Sequence, residues 1–205
     1  MEQIPLNIDL SRESIAIHIC DLIGKLLNKF KNKHNVYPSI LFVYRSGSNE
    51  FGIDKIKEIE IPLIHKQIVF LEPEMKYIVT VVVKKVELRL IEDYGNGRYE
   101  NPGQGVVIDS GLTKPDSYEF YLQPNTNSGV PTYFKVIQNY KLEKLPIEDL
   151  EEITYKLCYY YWNWNGSIKI PSCLKYAEKL LAHNTNVKCS DSDIHECLLN
   201  NPYYI

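Results

Sequence analysis

Apolar residues return at helical spacing at Ile15, Ile19, Leu22, Ile23, Leu26, Leu27 and Phe30, which predicts an amphipathic helix over Leu10 to Phe30. Ser11 stands where an N-cap would accept a free amide, and Lys25, Lys29 and Lys31 lie toward the negative end of the helix dipole. After a break at Asn35 to Pro38, the unbroken apolar run Ile40 to Tyr44 predicts a strand buried on both faces. Helix followed by buried strand is α/β alternation.

A short helix is predicted over Asp54 to Ile59. Tyr77 to Val83 forms a β-rich run that Lys84 and Lys85 interrupt before Val86 to Ile91. Gly95, Gly97, Pro102, Gly103 and Gly105 make Asp93 to Gly105 an exposed loop. Short strands follow at Gly105 to Asp109, Tyr118 to Leu122 and Tyr133 to Ile137. Pro146 opens a helix with acids in its first turn that runs on through Leu150, Ile153, Leu157 and Tyr161, and a last helix extends from Pro171 to about Ala182. There is no internal repeat and no evident linker. The pattern therefore predicts one domain, a mixed sheet flanked by helices.

Composition adds limits. The 205 residues are 44% hydrophobic and 24% charged, enough for one substantial core. The longest apolar runs are too short to cross a bilayer and no signal segment opens the sequence, so an intracellular protein without membrane association is expected, nuclear or cytoplasmic. Cys20, Cys158, Cys173, Cys189 and Cys197 are widely spaced and form no CxxC pair, which points to reduced thiols and neither a metal nor a cofactor. Net charge is -3, the wrong sign for a domain that holds nucleic acid by overall charge. An RNA role would need a local basic patch or a partner.

Four stretches carry a resemblance, in order: Phe42 to Gly47 (FVYRSG), Val81 to Lys85 (VVVKK), Gly105 to Thr113 (GVVIDSGLT) and Ile153 to Cys158 (ITYKLC). They resemble the Piwi domain of the Argonaute/Piwi family, and the Tyr-Lys-Leu-Cys and Asn-Trp-Asn-Gly wording is similar to its Piwi clade. Tyr118 to Leu122, Pro131 to Val136, Tyr161 to Gly166 and the terminal Pro202 to Ile205 add to the agreement. The resemblance implies an RNase H-like α/β fold, here its C-terminal part, lacking the opening strands of the complete domain and the PAZ and MID regions.

Members that cut RNA use clustered acids, usually completed by a histidine, to hold two divalent metals at the scissile phosphate. By the resemblance, the first aspartate would lie upstream of Met1, the second corresponds to Ser46, the histidine corresponds to Glu178, and the inserted glutamate falls at Glu13, or Ser14 with a shift of one. Serine offers a neutral hydroxyl in place of a charged carboxylate. Glu178 is expected to be a solvated helix-surface carboxylate, and the expectation is a non-enzyme, with Glu13, Ser46 and Glu178 as vestigial positions.

The resemblance further implies a guide strand held by its backbone, and by position the candidates are Tyr161, Lys169, Lys175 and Arg45. Solvated lysines, and an Arg45 ion pair with Glu50 or Asp109, are the alternatives. His183 replaces a further basic contact, and the carboxylate of Ile205 matches the family terminus. Most rings of the Tyr159 to Trp164 run are expected in the core or an interface. Gly95-Asn96-Gly97 reads as a turn. The readings left open are a non-catalytic silencing protein contacting small guide RNA together with a protein partner, a protein-interaction module that has abandoned RNA, a nuclease reconstituted in trans, and a truncated piece of a full-length Piwi.

Overall fold

The computed structural model describes residues 11–47, 50–126, 129–187 and 204, with the side chains of 50, 51 and 184–187 excepted. Ser11 caps the first helix, α1 (Arg12–His34), by accepting the Ser14 amide at 3.3 Å, and Asn35 ends it in the left-handed conformation. β1 (Ile40–Ser46) follows the Pro38 break as predicted. Next comes one continuous helical arm, longer than the predicted helix: α2 (Glu50–Lys55), a π turn (Ile56–Glu60) and α3 (Ile61–Leu71). Pro62 does not stop it: it stands where the π turn passes into α3, and a π turn is one of the local departures from the α ladder at which a helix accommodates a proline.

β2 (Lys76–Val83) lies parallel to β1. The predicted strand at Val86 to Ile91 does not form. A small hairpin of β3 (Glu92–Asp93) and β4 (Tyr99–Glu100) turns instead around Gly95, Asn96 and Gly97, all at positive φ, with Asp93 Oδ1 accepting the Gly95 amide at 2.8 Å. β5 (Val106–Ile108), β6 (Glu119–Gln123) and β7 (Thr132–Tyr140) complete the main sheet in the order β1-β2-β7-β6-β5, mixed as predicted. α4 (Ile147–Leu157) stops short of Tyr161, and α5 (Ser172–Val187) follows.

β2 sits inside the sheet, and its alternation builds two cores. Tyr77, Val79, Val81 and Val83 pack with Ile23 and Leu27 of α1 and Ile64 and Ile68 of α3. Ile78 and Val82 face the other way, with Phe120, Phe134, Leu150 and Leu174 under α4 and α5. The result is an α/β/α sandwich. β2 is buried at every position after Lys76, whereas β1, equally apolar in sequence, is nowhere fully buried. No described strand pairs with the outer edge of β1.

Candidate functional site at the ends of β1 and β2

Parallel pairing brings the C-terminal ends of β1 and β2 together. Ser46 stands opposite Val82, and Lys84, two residues further on, ion-pairs with Glu178 of α5. The start of α1 joins them: Arg12 donates to the Gly52 carbonyl at 3.4 Å and lies 3.9 Å from Glu60, with exposed Glu13 beside it. The three positions singled out from sequence, Glu13, Ser46 and Glu178, thus belong to elements that meet at one end of the sheet.

Side chains there are paired among themselves. Arg45 donates to Glu60 through Nε at 3.0 Å and Nη2 at 3.2 Å, and through Nη1 to the Ser46 carbonyl at 2.9 Å. Of the expected partners, the side chain of Glu50 lies outside the described residues and Asp109 is not the one used; the partner is the buried Glu60 of the π turn. The guanidinium is thereby occupied, and Arg45 is not presented as a free phosphate contact. Glu178 is likewise no lone solvated carboxylate: besides Lys84 it lies 4.0 Å from Lys175.

These groups do not suit a divalent metal. Ser46 brings no charge, and the carboxylates of Glu60 and Glu178 are each neutralised by a protein cation. Among the described residues no group of three histidine, cysteine, aspartate or glutamate side chains is placed to hold a metal ion.

The other expected RNA contacts, Lys169, Lys175 and Tyr161, lie around the start of α5. Lys169 precedes it, its carbonyl taking the Thr132 hydroxyl at 2.7 Å, and its ammonium has no ion pair among the described residues. Lys175 lies one turn inside the helix. Tyr161 is a correction. Its ring is buried against Tyr176, centroids 5.4 Å apart, and its hydroxyl is enclosed with no hydrogen-bond partner among the described residues, so it offers nothing to a strand in solvent. His183 is half-buried at the far end of α5, and Ile205 lies outside the described residues.

The aromatic run divides between core and surface. Of Tyr159 to Trp164, only Tyr161 is in the core; Tyr160, Trp162 and Trp164 are exposed. Beneath them the family-like helix is firmly seated. Tyr44 Oη and Thr154 Oγ1 are 2.8 Å apart, burial pushes the Tyr44 phenol well above its ordinary value, and burial raises the Cys158 thiol to about 12 while its sulfur contacts the Thr154 carbonyl at 3.3 Å. Cys20, Cys158 and Cys173 are free thiols. No described helix is long and apolar enough to cross a membrane.

The sequence pattern of the family described as Piwi domain matches residues 6–187. The chain is 31% identical over 180 residues to Piwi-like protein Siwi of Bombyx mori, covering 85% of the chain and 20% of that protein. It is 35% identical over 154 residues to Piwi-like protein 1 of Gallus gallus, covering 72% and 17%. Among solved structures, Drosophila Piwi superposes with a TM-score of 0.68 at 27% identity, covering 80% of this chain and 23% of that one. Kluyveromyces polysporus Argonaute with a guide RNA gives 0.66 at 19% identity over 88% and 22%, a likeness of fold. The chain thus spans about a fifth of the length of the curated relatives it matches.

Proposed function

The chain belongs to the Piwi domain family, and from that premise we propose that it is a non-cutting RNA-binding part of the small-RNA silencing machinery, gripping a guide strand by its backbone while another polypeptide segment completes the lobe. The observation that carries this reading is the cationic start of α5. Between Glu152 and Glu178 the sequence holds Lys156, Lys169 and Lys175 and no acid, against a net charge of -3 overall. Lys169 and Lys175 flank a helix N-terminus, where free amides and the helix dipole also favour phosphate.

Absence of cutting is supported by the chemistry at Ser46 and Glu178, the first neutral and the second held by Lys84. A completing segment is supported by β1, an apolar strand that is nowhere fully buried and has no described neighbour on its outer edge. Burial of Tyr161 and the acidic overall charge favour a second reading, a protein-interaction module that no longer binds RNA.

Fluorescence anisotropy of a 5′-phosphorylated single-stranded RNA, titrated with the chain and with Lys169→Glu/Lys175→Glu, separates the two. The proposal predicts tighter binding by the wild type. The variant's salt dependence should be shallower by roughly 1.4 log units per log unit of salt, about 0.7 for each phosphate no longer neutralised. Equal binding by both proteins would overturn it.

A further inference from the structure

The loop between α4 and α5 exposes aromatic rings where a folded chain ordinarily hides them. Trp162 is 86% exposed, Tyr160 70% and Trp164 56%, and Asn163 and Asn165, also exposed, alternate with the tryptophans. Exposed rings gathered in one short segment mark a contact surface more often than chance exposure does.

The loop is held in place from behind. Trp162 N–H donates to the Tyr176 hydroxyl at 2.9 Å, that hydroxyl donates to the Tyr160 carbonyl at 3.2 Å, and the Ile168 amide donates to the Cys158 carbonyl at 2.9 Å. Tyr161 points inward as an anchor, so its neighbours are presented outward on a fixed backbone. Tyr176 adjoins Lys175, and Ile168 adjoins Lys169. The rings therefore share one braced framework with the cations at the start of α5.

From this arrangement we propose that Trp162, with Tyr160 and Trp164, forms a stacking platform for unpaired bases of a single-stranded RNA whose backbone runs past Lys169 and Lys175. This rests on the RNA-binding reading above and adds the part of the ligand that the lysines do not touch. Aromatic faces beside cations are what sequence-tolerant single-strand binding requires, because every base has a π face and every linkage a phosphate. The asparagines between the rings supply amides that can meet base edges. No acid lies from 153 to 177; the bordering Glu152 pairs with Lys156 and Glu178 lies 4.0 Å from Lys175, while Lys169 has no ion pair among the described residues, and this local cationic excess favours a polyanion as the occupant over an acidic or neutral protein surface.

The chain's two tryptophans are Trp162 and Trp164, so its intrinsic tryptophan fluorescence reports on this loop alone. Three probes are titrated: a single-stranded oligouridylate, the same strand paired in a duplex, and an abasic oligomer with an equivalent phosphate backbone. Quenching is expected with the single strand and not with the abasic oligomer or the duplex. Trp162→Ala should weaken binding of the base-bearing strand by about five- to a hundredfold, leaving abasic binding unchanged, while Trp162→Phe retains most of the affinity. Lys169→Glu/Lys175→Glu should weaken both single-stranded probes. Binding of the oligouridylate without quenching, or with wild-type affinity in Trp162→Ala, would overturn the stacking platform while leaving backbone contact standing. No binding of any probe would remove both, and would return the exposed rings to a protein interface.

Discussion

Arg45 lays its guanidinium along the carboxylate of Glu60, Nε 3.0 Å from Oε2 and Nη2 3.2 Å from Oε1, and Glu60 has no solvent exposure at all. Such a pair stabilises little over an apolar pair of the same volume, but breaking it leaves a buried charge with no closer cation than Arg12, 3.9 Å away. Arg45→Ala should therefore destabilise the fold by about 3 kcal/mol in urea unfolding, whereas Arg45→Met/Glu60→Leu recovers most of that loss. If Arg45→Ala stays within about 0.5 kcal/mol of wild type, as an ordinary surface change would, Arg45 has another role.

Glu178 restrains two lysines, Lys84 across the sheet end and Lys175 on its own helix. Replacing it by glutamine removes the competing anion and leaves both ammonium groups to an incoming phosphate. Glu178→Gln is expected to bind single-stranded RNA severalfold more tightly, with a steeper salt dependence. Unchanged affinity would place the phosphate path away from these two lysines.

Two carboxylates set opposite pH limits on stability. Burial, then the charges of Asp109 and Glu148, raises Glu151 to about 7, and its Oε1 has no hydrogen-bond partner among the described residues. The native state therefore keeps a proton that the unfolded chain releases, so stability is greatest below about pH 4.5 on this account and falls as pH rises toward 7. Glu151→Gln should abolish that decline and stabilise the protein above neutral pH, by on the order of 3 kcal/mol at most.

Glu119 works in reverse. Burial alone would raise it, but the Tyr133 hydroxyl, the Lys114 amide, the Ser117 hydroxyl and the nearby Lys135 ammonium hold it at about 2. Its contribution is present above about pH 4.5 and is lost as pH falls toward 2. Thermal melts of Glu119→Gln should show lower stability at neutral pH and a weaker acid limb. A variant whose acid limb matches wild type would contradict the assignment.

The sequence made the centre of the sheet legible because β2 is a nearly unbroken apolar run, and the FVYRSG and ITYKLC stretches located elements packed around it. It hid α3, whose Ile61, Ile64 and Ile68 keep helical spacing but begin beside Pro62. The Val86 to Ile91 segment misled in the opposite sense: its alternation suits a strand, yet it joins neither sheet, and the Leu90 amide donates to the Gly129 carbonyl at 2.6 Å. At the candidate site the positions Glu13, Ser46 and Glu178 were readable from resemblance alone. The ion pairs around them were not, because Glu60 meets Arg45 from a π turn and Lys84 meets Glu178 from beyond the end of a strand, placements that no local pattern encodes. Which rings of the aromatic run would be exposed was hidden for a related reason. Which way a ring points beyond a helix end depends on a brace, the Tyr176 hydroxyl, from another helix.

The most direct measurement is affinity purification of the chain from native extract, comparing wild type with Lys169→Glu/Lys175→Glu. Co-purified small RNA is sequenced, co-purified protein is identified, and the eluate is incubated with a complementary RNA in magnesium and manganese. The account predicts 5′-phosphorylated small RNAs in the wild type and their loss in the variant, together with an intact target. Stable protein partners with no RNA above background would contradict guide binding, and metal-dependent cleavage of the target that Glu178→Ala abolishes would contradict the loss of cutting.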